Sequence, residues 1–229
     1  MQWLRTNKRR ETVRGRAVVY TLRPWDEYRC VFIHIPKTAG MSVASALFGE
    51  GGATHAPLAS VQGLLAPAEF AAYFKFAFVR NPWDRLVSAY EFLRVGVGQE
   101  EYDRALADKI AGLGSFARFL DWIRETRGCD GIHFYPQHKY VCSEESENAM
   151  DFVGYFETLG DDVALVAKRL GLSADLPHIN SAPSRADYRD YYDARAIDLV
   201  GEVYHRDIAL FGYDFENADL GANRLRYTI

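Results

Sequence analysis

Cys30-Val-Phe-Ile-His-Ile-Pro-Lys-Thr-Ala-Gly-Met-Ser-Val-Ala-Ser-Ala-Leu-Phe48 is the stretch on which the reading of this chain turns. Its first part, Cys30 to Ile35, is a short apolar, β-branched run stopped by Pro36, the mark of a buried strand. After the turn Pro36-Lys-Thr-Ala-Gly40 comes a small, helix-tolerant segment, Met41 to Phe48, that ends ahead of Gly49, Gly51 and Gly52. Strand, tight glycine-containing loop and helix form the first half of a βαβ unit.

The same logic returns at 75–94. Lys75-Phe-Ala-Phe-Val79 reads as a strand, and Asn81-Pro82 as an N-cap followed by proline at the first helical position. Trp83, Leu86, Val87, Tyr90 and Leu93 then recur at helical spacing, which predicts one buried face with Asp84, Arg85, Ser88 and Glu91 turned away from it. Further helices are predicted over 101–111, 114–126 and 161–170, the last starting at Asp161-Asp162 and stopping at Gly171. Asp151 to Tyr155 reads as a third strand. Ile197, Val200, Tyr204, Ile208 and Phe211 predict one long amphipathic helix between Asp193 and Gly212. Strands alternating with helices predict a three-layer α/β domain with a mostly parallel sheet. With no repeat and no linker long enough to split it, the expectation is a single domain over 1–229 with a basic N-terminal segment at 1–16.

Composition narrows the classes. At 229 residues, 48% apolar and 14% aromatic, the chain can bury a sizeable core. Lys and Arg number 27 against 31 Asp and Glu, so no global positive field exists to hold a nucleic acid. Arg5, Lys8, Arg9, Arg10, Arg14 and Arg16 against Glu11 read as a solvated head, with steering of an anionic substrate as the other reading. The odd cysteine count (Cys30, Cys129, Cys142) suits a reducing compartment. No run of 18 apolar residues occurs, and Met1-Gln-Trp-Leu-Arg5 leads into charge, not a signal sequence. The expected location is cytoplasmic.

In a parallel sheet, ligands bind where strands end and helices begin. Two such ends carry cations. Lys37 sits in the first turn, where Gly40 is expected to let the backbone bend and the N–H groups of 38–42 to converge at a helix start. Thr38 and Ser42 add hydroxyls, and the Walker pattern G-x-x-x-x-G-K-[ST] is absent. Arg80 closes the second strand with Ser88 two helical turns on, a pairing suited to a second phosphate. The plainer alternative is that Lys37 and Arg80 are ordinary surface cations.

Phe32 to Ser42, followed by Phe76-Ala-Phe-Val-Arg-Asn-Pro-Trp-Asp-Arg-Leu-Val-Ser-Ala-Tyr90, resembles the sulfotransferases that use 3'-phosphoadenosine 5'-phosphosulfate (PAPS), closest to their bacterial and carbohydrate branch with heparan 2-O-sulfotransferase-like members. The resemblance is strong over about 30–95 and weaker through Pro136-Gln137, Phe156-Glu157 and Pro177 to Asn180, as far as the tail Asp207 to Tyr213. It implies a P-loop NTPase-like α/β fold with a central, mostly parallel sheet. It also implies that Pro36, Lys37, Thr38, Ala39, Gly40, Met41 and Ser42 hold the 5' end, while Arg80 and Ser88 hold the 3'-phosphate. Met41 departs from the pattern, standing where many relatives have Thr. The implied reaction passes the sulfuryl group of PAPS to an acceptor hydroxyl, on a carbohydrate, releasing adenosine 3',5'-bisphosphate. Lys37 is then the cation at the leaving phosphate and no metal is required.

A hydroxyl acceptor needs a base. His34, inside the first strand, reads as a packed residue or as one that supports the site from behind. His55, in Gly51-Gly-Ala-Thr-His55, lies where the resemblance places the base histidine, with a solvated loop histidine as the alternative. Cys129, His133, His138 and Cys142 have metal-capable side chains, but their spacing fits no usual zinc module. By resemblance His133 and Gln137 belong near the acceptor, and Arg185 is the candidate for a basic loop over the nucleotide, or else a surface arginine. Two rival functions remain: a nucleotide kinase-like phosphotransferase, and a non-catalytic phosphonucleotide-binding protein.

Overall fold

The computed structural model describes residues 23–49, 53–95, 101–142, 149–173 and 187–218. In chain order these form α1 (Arg23–Tyr28), β1 (Cys30–Ile33), α2 (Gly40–Phe48), α3 (Leu58–Gln62), α4 (Pro67–Ala72), β2 (Phe74–Val79) and α5 (Pro82–Arg94). There follow α6 (Glu101–Leu113), α7 (Phe116–Thr126), α8 (His138–Val141), β3 (Phe152–Tyr155), α9 (Leu159–Leu170), α10 (Ala194–Val203) and α11 (His205–Phe211). Short 3-10 turns occupy Phe156–Thr158 and Tyr188–Tyr191. The described residues divide into two compact units, those between 23 and 79 and between 137 and 173 forming one, those between 80 and 136 and between 187 and 218 the other.

The first unit is built on a parallel sheet of order β1-β2-β3, with Phe32 opposite Phe76 and Phe76 opposite Phe152. Parallel neighbours cannot be joined by a hairpin, which is why helices intervene between them. Every residue of the three strands is buried, as strands covered on both faces require. Phe32, Phe74, Phe76, Phe78 and Phe152 form a cluster with Val43, Ala44 and Leu47 of α2 and Val163, Val166 and Ala167 of α9. Phe32 and Phe76 stack with centroids 4.7 Å apart. A Cβ at Gly154 would lie 2.4 Å from the ring of Phe78, so the central aromatic needs a glycine on β3.

Of the boundaries that differ from expectation, two have a visible physical reason. β1 stops at Ile33, short of Ile35, because Ile33 bridges Thr54 in parallel and the His34 N–H donates to the Thr54 carbonyl at 2.9 Å. The chain therefore leaves the β1–β2 ladder at His34. α9 begins at Leu159, ahead of the Asp pair, because Asp162 is buried and its Oδ2 accepts from the Tyr155 N–H and the Thr158 hydroxyl, both at 2.8 Å. Asp162 closes the end of β3 from within the helix.

In the second unit, Asn81 caps α5, its Oδ1 accepting from the N–H groups of Trp83 (2.9 Å) and Asp84 (3.3 Å). Trp83, Leu86, Val87, Tyr90 and Leu93 are buried as expected, in one cluster with Phe119, Leu120, Trp122 and Ile123 of α7 and Leu199 and Val200 of α10. Arg85 was expected on the outer face and is instead 2% exposed. Its guanidinium donates to the Tyr135 carbonyl at 3.0 Å, which gives a buried cation an acceptor. The long C-terminal helix is also corrected: it breaks at Tyr204, whose φ of -106° and ψ of 22° end α10 and start α11. Tyr204 is buried and its hydroxyl donates to the Phe134 carbonyl at 2.7 Å. The anchored side chain at the break and the continuing apolar period give the same sequence pattern as an unbroken helix.

Candidate functional site

In the first unit the turn after β1 is the densest concentration of unusual backbone. Lys37 (φ 72°) and Ala39 (φ 64°) are both left-handed, conformations that non-glycine residues enter only at a cost. Alternation of this kind points successive N–H groups into one concavity. The Thr38 hydroxyl, expected as a ligand donor, donates to the Ile35 carbonyl at 2.9 Å and ties the turn shut. α2 then starts at Gly40 with Ala39 at its N-cap, which offers no side-chain cap. The helix start thus lacks a capping side chain from its N-cap residue, at the positive end of a nine-residue helix. Met41 is 49% exposed, and Pro36 is buried behind the turn.

Gly40 is not where the chain bends. The left-handed residues are its neighbours, and glycine is needed because a Cβ there would fall 1.9 Å from Cδ2 of the His34 ring. His34 is 5% exposed, and its ring lies 4.2 Å from that of His55, tilted by 38°. Burial first, and then the nearby His55 and Lys37, hold the His34 imidazole well below its ordinary value, so it is neutral. His55 is half-buried and its Nδ1 lies 2.9 Å from the His34 carbonyl oxygen. The Thr54–Ile33 bridge carries His55 to this position.

In the second unit, Arg80 follows β2 directly in the chain and is 5% exposed. Its Nε donates to Asp84 Oδ2 at 2.7 Å. Ser88, half-buried, lies one turn beyond Asp84 on α5, so Asp84 and Ser88 share a helix face. Asn81 also ties α5 to the segment after α11, donating to the Asp214 carbonyl (2.9 Å) and Asn217 Oδ1 (2.7 Å).

His133, 8% exposed, has Nε2 2.8 Å from Asp103 Oδ1 of α6 and its ring against Phe92. Sequence reasoning missed both carboxylates. Asp84 stands four residues after Arg80, a detectable helical spacing, whereas Asp103 is thirty residues from His133 and leaves no local signal. Gln137, in the first unit, is fully buried at the start of α8. Arg185 lies outside the described residues. Among the described residues no group of three or more His, Cys, Asp or Glu side chains gathers as a metal site, and the three cysteines are free thiols. A cavity of about 340 Å³ in the second unit, lined by Phe116, Leu120, Asp121, Tyr191, Tyr192 and Arg195 among others, includes none of the residues singled out from the sequence.

The chain matches the Sulfotransferase family over residues 25–214 and belongs to it. Two relatives illustrate the range. An uncharacterized protein of Archaeoglobus fulgidus is 35% identical over 116 residues, 49% of this chain and 81% of that protein. Carbohydrate sulfotransferase 12 of Xenopus laevis is 25% identical over 169 residues, 62% of this chain and 40% of that protein, so the matched part spans less than half of the Xenopus enzyme. No solved structure matches the chain. Family membership makes it a transferase whose chemistry is sulfuryl transfer.

Proposed function

We propose that this protein transfers the sulfuryl group of PAPS to an acceptor hydroxyl on a carbohydrate, using a P-loop-like α/β scaffold. The observation that carries the reading is the 36–42 turn, with two left-handed residues, Lys37 among them, leading into a helix start that lacks a capping side chain. Backbone of this kind at a helix start suits an anion, which supports the turn as the seat of the 5' end of the nucleotide. The likeness to a protein named carbohydrate sulfotransferase 12 supports the acceptor class.

Pro36 to Ser42 hold the 5' end. Arg80 and Ser88 take the 3'-phosphate, with Asp84 holding the Arg80 guanidinium in place. Arg185 covers the nucleotide, and His133 and Gln137 serve the acceptor. When bound, PAPS supplies a sulfuryl group that forms a new S–O bond to the acceptor as its bond to the 5'-phosphate breaks, the electron pair leaving with adenosine 3',5'-bisphosphate. The Lys37 ammonium neutralises the negative charge that develops on the leaving phosphate, an interaction stronger in the transition state than before it. His55 accepts the acceptor's hydroxyl proton.

Calorimetry tests the nucleotide half of this reading. Adenosine 3',5'-bisphosphate is expected to bind at least about tenfold more tightly than AMP, since charge-assisted hydrogen bonds hold the extra phosphate. Arg80→Ala should close most of that gap and leave AMP affinity nearly unchanged. Equal affinities in the unaltered protein would end the reading.

A further inference from the structure

We propose that His34 is the positioning residue for His55: its backbone carbonyl selects the His55 tautomer that leaves Nε2 as the basic nitrogen, and its ring sets where that base stands relative to the phosphate turn. The inference rests on the reading of His55 as the base.

A carbonyl oxygen only accepts hydrogen bonds. At 2.9 Å from the His34 carbonyl, Nδ1 of a neutral His55 must therefore be the protonated nitrogen. The lone pair is left on Nε2, the nitrogen farther from the main chain, and the proton taken from an acceptor hydroxyl goes there.

The ring of His34 supplies the second half. One side of it meets the His55 ring, with centroids 4.2 Å apart. Its edge meets Gly40 so closely that no Cβ fits. One imidazole thus touches both the base ring and the first residue of α2, and links the base to the turn proposed to cradle the anion. Held neutral by burial and by its two cationic or titratable neighbours, His34 does not compete for the proton. Its own N–H bond to Thr54 ties the segment bearing His55 to the end of β1, so spacer and base share one rigid support.

The test uses the full chain. Long-range ¹H–¹⁵N correlation at neutral pH should show His55 with a protonated Nδ1 and a bare Nε2. In turnover of radiolabelled PAPS, His34→Ala should lower kcat by about 10²-fold, the scale of an ångström's misplacement, with adenosine 3',5'-bisphosphate affinity changed by less than about threefold. His34→Phe, which keeps a planar spacer, should recover most of that loss. A protonated Nε2, or a His34→Ala variant as active as the parent, overturns the inference while leaving His55 as base. So does a His34→Phe variant as slow as His34→Ala. If His34→Ala does not fold, the tautomer and His34→Phe decide. Full transfer by His55→Ala would instead remove the base assignment itself, and this inference with it.

Discussion

At the scale of single residues, the proposed chemistry draws on Lys37, His34, Gly40 and His55. Lys37→Ala should reduce turnover by about 10²–10³-fold, as loss of a preorganised charge does, with a smaller loss of nucleotide affinity. The sulfuryl-transfer rate beside calorimetric affinity checks it. Gly40→Ala should destabilise the protein by about 1–3 kcal/mol in denaturant titration, since the new methyl has only the His34 ring to move. His34 also sets a pH response. Its imidazole is held low in the folded state and returns to about 6.5 on unfolding, so below that pH the unfolded chain binds a proton that the native state refuses. The stability linked to this group is full above pH 6.5 and falls as pH drops, by at most about 1.4 kcal/mol per pH unit. Denaturation midpoints between neutrality and pH 5 or so should fall less steeply for His34→Phe than for the parent, and parallel curves would contradict this. The sequence made Lys37 and the turn legible because both lie in one short segment. The His34–His55 contact was not legible, for it depends on a bridge at Thr54 across twenty-one residues.

Among the elements, α5 was the most legible, because its cap, its first-turn proline and its apolar period are all local signals. Asn81→Ala removes the cap and the side-chain bonds to Asp214 and Asn217, so a loss of about 0.5–2 kcal/mol is expected from the cap alone. A thermal-melting shift measures it. The burial of Arg85 and the break at Tyr204 were illegible for a common reason. In both, a polar atom inside the core finds a main-chain carbonyl, Tyr135 or Phe134, far away in sequence. Tyr204→Phe should therefore cost about 1–3 kcal/mol in equilibrium unfolding, by leaving a buried carbonyl without its donor. The helix boundaries themselves should survive in amide-exchange patterns.

For the molecule as a whole, alternation of strand and helix was enough to read a parallel α/β arrangement, and the order β1-β2-β3 follows the order of the chain. Under the proposed function, adenosine 3',5'-bisphosphate at a hundred times its Kd should raise the unfolding free energy by about 2.7 kcal/mol, and AMP at the same concentration by less. Matched melting curves test this without any acceptor. The sheet also contains its own reporter. Cys30, the first residue of β1, is completely buried, and burial pushes its thiol up to about 12, whereas Cys129 is exposed. Alkylating reagents attack the thiolate, so Cys129 should be consumed at once and Cys30 only when β1 parts from its surroundings. The slow phase of alkylation is then a clock for opening of the strand that leads into the 36–42 turn, and under the proposed function a nucleotide bound at that turn should slow that clock while leaving the fast phase untouched.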